Sequence, residues 1–223
     1  MVEMLFLVLG LMIVMAAIPV IACLALTLAI AKRFIVRFND PIEKSRFRVR
    51  LGGNVAYFIA ALNALAVIYY FIAAGLPFGD RFDPWLSVAS GRLPEGWYLA
   101  SAVAFLFAGF LLKVIRSAYI AVFVLALFAA QIALEMSPTL FALAQDPGLF
   151  ARFIDEITRL REAYASVGGI PGTIMATLFA GMVYGILVQA AYYILTLTSF
   201  LIALQGTLRL RRIAQQHFRV PGA

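Results

Sequence analysis

The chain is a short, strongly apolar polypeptide whose few charges are mostly basic. It has 223 residues, 64% of them hydrophobic and 13% charged, with a formal net charge of +7 and a mean hydropathy of +0.98. This composition excludes an ordinary soluble domain and predicts a helical membrane protein, because about 20 consecutive apolar residues span a bilayer core. No room is left for a separate soluble catalytic domain, so we expect one transmembrane domain over residues 1–223.

Four stretches that are nearly free of charge predict the membrane crossings. In chain order they predict a first helix over 4–31, a second over 54–76 and a last one over 171–208. The stretch 97–135 is too long for one crossing and contains Lys113 and Arg116 near its middle. We therefore predict two helices there, over 97–112 and 118–135. The fold class that follows is all-α, a polytopic bundle of five transmembrane helices; the alternative has four crossings, with 97–135 as one long helix.

The distribution of Lys and Arg favours five crossings, because cytoplasmic segments of membrane proteins are enriched in these residues. With the N-terminus outside, the inside segments hold seven cations in 32–50, Lys113 with Arg116, and four at the C-terminus. Together these are 13 of the 18 cations, whereas nine of the eleven acids fall outside. Four crossings would place the arginine-rich C-terminus outside. We therefore predict an integral protein of a bacterial inner (plasma) membrane, with the N-terminus outside and the C-terminus cytoplasmic.

The predicted outer segments contain signals for short helices. Asp83-Pro84-Trp85 predicts one between the second and third crossings, since a capping side chain precedes a helix-compatible proline. Ser137-Pro138 and Asp146-Pro147 likewise predict helices over 138–145 and 147–166, within an amphipathic segment 137–167. Such a helix either lies along the bilayer surface or docks a partner. Its apolar face, at three- and four-residue steps, includes Phe150, Phe153, Ile154 and Ile157.

The last predicted crossing carries small residues on two neighbouring rows, which let two helix backbones approach closely. They pack either within the chain, with Ala56, Ala60 and Ala64 as a plausible mate, or against another subunit. Further along, Gln189, Tyr193 and Thr196 either line a polar path or form hydrogen bonds across helices. The small residues are Gly172, Thr173, Ala176, Thr177, Ala180, Gly181 and Gly185.

Several kinds of site have no support in the sequence. The single histidine, His217, lies in the basic tail, so a metal or haem site built from histidine pairs is not expected. No glycine-rich phosphate loop and no inward cluster of acids is present. We expect no catalytic residue, no cofactor and no bound metal.

The basic clusters directly adjoin apolar helices, which is typical of topology determinants and contacts with lipid headgroups rather than of nucleic-acid binding. The predicted lipid-contacting cations are Lys32, Arg33, Arg37, Lys113, Arg116, Arg209, Arg211 and Arg212.

The function that these features favour is a non-catalytic integral membrane subunit of a larger assembly, such as a translocation, secretion or energy-converting complex. Its expected partners are the lipid bilayer and other membrane subunits or copies of itself. The alternative is a homo-oligomeric channel or small transporter. A weaker hypothesis is an organiser of anionic lipids that uses the basic segment 32–50.

Overall fold

The computed structural model describes residues 17–18, 20–32, 40–74 and 95–218, and these residues are almost entirely α-helical. The all-α prediction is confirmed. Residues 4–16 of the first predicted crossing, and the predicted short helix at Asp83-Pro84-Trp85, lie outside the described residues. The helices are α1 (Val20–Lys32), α2 (Pro41–Ala74), α3 (Glu95–Ile115), α4 (Ala118–Gln145), α5 (Leu149–Val167) and α6 (Gly169–Phe218).

Four of these helices are long and apolar enough to cross a membrane, as expected of a multi-pass membrane protein. The apolar spans are Pro41–Ile68, Trp97–Ile115, Ala118–Ser137 and Tyr184–Gln216. Helix α1 is shorter than these four. Helix α6, with 50 residues, is about 75 Å long, which exceeds the roughly 30 Å thickness of a bilayer core.

The predicted break between the third and fourth crossings is present, and the alternative of one helix over 97–135 is wrong. Helix α3 ends at Ile115 and α4 begins at Ala118. The reversal needs no glycine, because Arg116 itself adopts a positive φ of 55° and its Nε donates to the Lys113 carbonyl (3.3 Å). Ser117 Oγ then accepts the Tyr119 N–H (3.3 Å), which caps the start of α4.

Helix α2 begins 13 residues earlier than predicted, so residues 41–50 are helical rather than part of a loop. Asp40 is responsible, since its Oδ1 accepts the Ile42 N–H (2.8 Å) and its carbonyl accepts the Lys44 N–H (3.1 Å). Pro41 occupies the first helical position, where its missing N–H costs nothing. The cations of this segment therefore lie on the first turns of a helix that continues into an apolar span.

The predicted separate helix over 138–145 is wrong, because α4 continues through Pro138 to Gln145. Proline lacks the N–H that would bond the Leu134 carbonyl four residues earlier. The Ser137 hydroxyl donates to that carbonyl instead (3.0 Å). The next predicted helix, 147–166, is confirmed as α5, and Asp146 Oδ1 accepts the Gly148 N–H (3.1 Å) just before it.

Backbone contacts divide the chain into two compact units. The first unit comprises Met1–Thr27 and Leu140–Leu195, and the second comprises Leu28–Thr139 and Thr196–Ala223. Helix α6 contributes residues to both units. The single-domain organisation of the chain stays a prediction.

The second unit is an antiparallel helix bundle. Residues about equally far from the Arg116 turn meet across α3 and α4, as in the edge-to-face pair of Phe105 and Phe128 (6.3 Å between ring centroids). Phe128 also packs edge-to-face on Phe200 of α6 (5.8 Å). Val49, Leu112, Ala121 and Ala203 form a buried cluster near the opposite end from the polar residues described below.

Candidate functional site

Close backbone approach in the second unit depends on glycines that the small-residue rows did not identify. A Cβ on Gly52 would lie 2.4 Å from the Ala203 Cβ, and one on Gly53 would lie 2.6 Å from the Lys113 Cγ. A Cβ on Gly206 would lie 2.8 Å from the Arg48 Cβ. At each of these positions, a neighbouring helix lies too close for any side chain to fit. Tight packing in the second unit is thus found in α2 and the C-terminal part of α6, whereas the packing role of Gly172 to Gly185 stays a prediction.

The Arg48–Gly206 contact also brings two basic segments together. It places the first turns of α2 beside the C-terminal turns of α6. The Gly53–Lys113 contact adds the α3–α4 turn to the same end of the second unit. We call this the basic end. Its described cations are Lys44, Arg46, Arg48, Arg50, Lys113, Arg116, Arg209, Arg211 and Arg212, and of the predicted lipid contacts Lys32 is exposed whereas Arg33 and Arg37 lie outside the described residues.

A closed network of polar side chains lies inside the second unit. Asn63, Ser101 and Gln131, from α2, α3 and α4, are only 5%, 4% and 6% exposed. Asn63 Nδ2 donates to Ser101 Oγ (2.9 Å) and to Gln131 Oε1 (3.4 Å), and Gln131 Nε2 donates back to Asn63 Oδ1 (3.2 Å). Ser101 Oγ donates to Gln131 Oε1 (3.1 Å). Each of the three side chains thus both donates and accepts.

The same network reaches one carboxylate. Gln131 Nε2 also donates to Glu135 Oε1 (2.8 Å), one turn further along α4. Buried polar groups must find partners inside a membrane protein, because hydrocarbon offers none. The reciprocal pairing therefore fixes the register of three helices, and the Gln131 bond connects it to the half-buried Glu135.

Of the predicted small packing residues of α6 in the first unit whose burial the structure describes, three are exposed, one is half-buried and one is buried. Gly172 is buried, but Thr173, Thr177 and Gly185 are exposed. The two threonine hydroxyls return hydrogen bonds to their own helix, at Gly169 and Thr173 carbonyls (3.0 and 2.8 Å). Among the described residues, nothing lies within 4 Å of a Cβ built on Gly185. Ala176 is half-buried, and the side chains of Ala180 and Gly181 lie outside the described part.

The predicted polar path divides into two different environments. Gln189 is exposed and donates to the Tyr193 hydroxyl (2.7 Å) one turn along α6. Thr196 is fully buried, and its hydroxyl has no hydrogen-bond partner among the described residues. Ala56 and Ala60, the proposed mates of the small-residue row, are buried in the second unit, where Ala56 faces Gly109 of α3.

The exposure of the apolar side chains on the amphipathic helix α5 decreases from Phe150 to Ile157. Phe150 is exposed, Phe153 and Ile154 are half-buried, and Ile157 is buried. On the polar side, Arg152 forms an ion pair with Asp146, which precedes α5. The role of this face in docking a partner stays a prediction.

In the sequence, Asn63, Gln131 and Glu135 are conspicuous as strongly polar residues at or within apolar stretches, whereas Ser101 is not. A serine five residues into an apolar helix gives little signal by itself, because it can bond to its own backbone. Comparisons with known proteins give no match among protein-family models, curated proteins or solved structures.

Proposed function

We propose that the chain is a non-catalytic integral membrane subunit of a larger assembly, such as a translocation, secretion or energy-converting complex. The observation that supports this most directly is the α6 surface around Gly185 and Gln189, which we call the α6 face. It lies within the apolar span Tyr184–Gln216, yet both residues are exposed. Neither residue suits a helix surface in contact with lipid alone.

The argument for Gln189 concerns hydrogen bonds. A primary amide has two N–H donors and an acceptor oxygen, and one of these donors is used by Tyr193. Amides in membrane helices usually bond to a neighbouring helix, because the lipid tails offer no alternative partner. A second helix that covers the α6 face would supply these bonds.

The argument for Gly185 concerns distance. It is four residues before Gln189, so both lie on one side of the helix. No residue that the structure describes fills the space beside Gly185, so Gly185 allows another backbone to approach closely, as small residues do in membrane helix pairs. Shape and polarity on the α6 face therefore favour the same occupant, which is a transmembrane helix.

Affinity purification in mild detergent tests this proposal. The chain should co-purify with other polypeptides at fixed stoichiometry, and Gly185→Leu should reduce their recovery about tenfold. Leu187→Phe is the matched control, because it adds bulk at an exposed position on the opposite side of the same helix and should leave recovery unchanged. Recovery of a stable, monodisperse monomer from native membranes would contradict the proposal.

A homo-oligomeric channel or small transporter is the second candidate, supported by the exposed Gln189–Tyr193 pair. In this arrangement copies of the α6 face would surround a common pathway. Reconstituted liposomes should then show solute or ion flux that Gln189→Leu abolishes. Absence of flux across varied ions and pH would exclude this candidate and leave the first one unaffected.

We also propose that the basic end of the second unit faces the cytoplasm of a bacterial inner membrane, with the N-terminus outside. The support is physical: clustered Lys and Arg are retained on the cytoplasmic side. A reporter protein that is active only in the cytoplasm should be active when it is fused after residue 223, and one that is active only outside the cytoplasm should be inactive there.

A further inference from the structure

An apolar groove runs along the surface of α3 in the second unit. Val103, Leu106, Phe107 and Phe110 line it from one face of α3, and Tyr57 of α2 forms its other wall. The four α3 residues recur at three- and four-residue steps, and each is more than half exposed. Gly109 lets the two walls meet, since a Cβ there would lie 3.0 Å from the Tyr57 ring.

A cation occupies the end of this groove. Lys113 lies one turn beyond Phe110 on the same face of α3, and its Nζ is 4.2 Å from the centroid of the Tyr57 ring. Its methylene stem lies against Gly53. The ammonium group is thus held in place by two neighbours, and within the described part of the chain it forms no ion pair. A cation positioned in this way retains its capacity to bind an anion.

The dimensions of the groove match one leaflet of a bilayer. Val103 and Lys113 are ten residues apart, which corresponds to about 15 Å along a helix. Half of a bilayer's hydrocarbon core is also about 15 Å thick. A lipid whose phosphate contacts Lys113 would therefore lay one acyl chain along the whole groove and end near Val103.

We propose that this groove binds an anionic phospholipid, with the phosphate on Lys113 and an acyl chain between Tyr57 and the apolar face of α3. Charge complementarity selects the anionic class, because Lys113 belongs to the basic end and Arg116, whose Nε donates to the Lys113 carbonyl, adds a second cation beside it. The groove itself selects a lipid over a soluble phosphate. This binding does not depend on the assembly proposed above.

Native mass spectrometry of the chain from phosphatidylcholine nanodiscs containing some phosphatidylglycerol measures the preference. The wild-type chain should retain phosphatidylglycerol, and Lys113→Gln should lower that retention about fivefold. Arg211→Gln is the matched control, since Arg211 is an exposed cation of the same basic end on α6, and α6 contacts α2 at Arg48, which lies on the opposite side of α2 from Tyr57. Equal losses in the two variants would overturn the proposal, because they would indicate general attraction to the basic end.

Two further experiments test the lipid site if the Lys113→Gln variant does not fold. Phe110→Gln changes an exposed groove residue and should lower retention about threefold, whereas an unchanged value would overturn the proposal. A photo-crosslinking amino acid at position 103 should form adducts of lipid mass in native membranes. Adducts of polypeptide mass would assign the groove to a partner helix, and displacement of the lipid by soluble glycerol phosphate would show that the groove holds no acyl chain.

Discussion

The two units of the chain use small and polar residues in opposite ways. In the second unit, Gly52 and Gly206 are pressed against neighbouring helices, and Gln131 lies in a closed hydrogen-bond network. In the first unit, no described residue lies within 4 Å of a Cβ on Gly185, and Gln189 is exposed. The same residue types are therefore buried against neighbouring helices in one unit and exposed, among the described residues, in the other. Residue type alone does not distinguish these roles; the neighbours of each residue do.

Glycine substitutions should give the largest difference in stability between the two units. Gly52→Ala places a Cβ 2.4 Å from the Ala203 Cβ, so we expect the free energy of unfolding to fall by about 2–3 kcal/mol. Gly185→Ala meets nothing within 4 Å, and the added helix propensity should leave stability unchanged or raise it by up to about 1 kcal/mol. Unfolding in mixed detergent micelles measures both values. Equal destabilisation by the two variants would contradict the comparison.

The two glutamines provide the next largest contrast. Gln131→Leu removes a side chain that bonds to Asn63, Ser101 and Glu135, and it should cost about 1–2 kcal/mol because their buried groups lose partners. Gln189→Leu loses one bond at an exposed site and should cost less than about 0.6 kcal/mol. The double variant Asn63→Leu with Gln131→Leu should cost less than the sum of the single ones. Additive costs would show that the network is not coupled.

The helix caps should show a smaller and more local difference. Asp40→Ala removes the hydrogen bond to the Ile42 N–H and should destabilise the second unit by about 1 kcal/mol. Asp146→Ala removes the bond to Gly148 and the exposed ion pair with Arg152, and should increase amide exchange in the first turn of α5 without changing global unfolding. A global effect of Asp146→Ala as large as that of Asp40→Ala would be inconsistent with the separate packing of the units.

The smallest expected effect has the opposite sign. Thr196→Val removes a buried hydroxyl that has no partner among the described residues, so stability should rise by about 0.5–1 kcal/mol. Thr207→Val is the control, because the Thr207 hydroxyl donates to the Leu204 carbonyl (2.8 Å) and its loss should not stabilise the chain. Thermal unfolding of both variants in the same detergent distinguishes these outcomes.

Local signals predicted much of the helix pattern, and their failures have physical causes. The Asp146-Pro147 signal correctly predicted a helix, which begins two residues later than expected, at Leu149, with Gly148 as its N-cap. Asp40-Pro41 carries the same signal. Ser137-Pro138 resembles it, but there the serine hydroxyl bonds the carbonyl that proline leaves without a donor, so the helix continues. The sequence does not distinguish a polar residue that precedes proline at a helix start from one within a continuing helix. Only the hydrogen bonds of its side chain do.

Packing partners were harder to predict than helices. Gly52 and Gly206 carry no local pattern that names Ala203 or Arg48 as their neighbours, because such contacts join residues about 150 positions apart in the chain. The row from Gly172 to Gly185 has the stronger sequence signal, yet no described residue covers Gly185. A small-residue row predicts that close approach is possible, and the identity of the approaching helix is a tertiary property.

The shared location of the basic segments is the central claim, since the orientation and the lipid site both depend on it. Single cysteines at Arg46, Ser117 and Arg211 in a Cys23→Ala background can be labelled with a membrane-impermeant maleimide in intact and in inverted vesicles. All three should react in the same vesicle orientation. Reaction of position 46 and position 211 from opposite sides of the membrane would contradict the bundle described for the second unit.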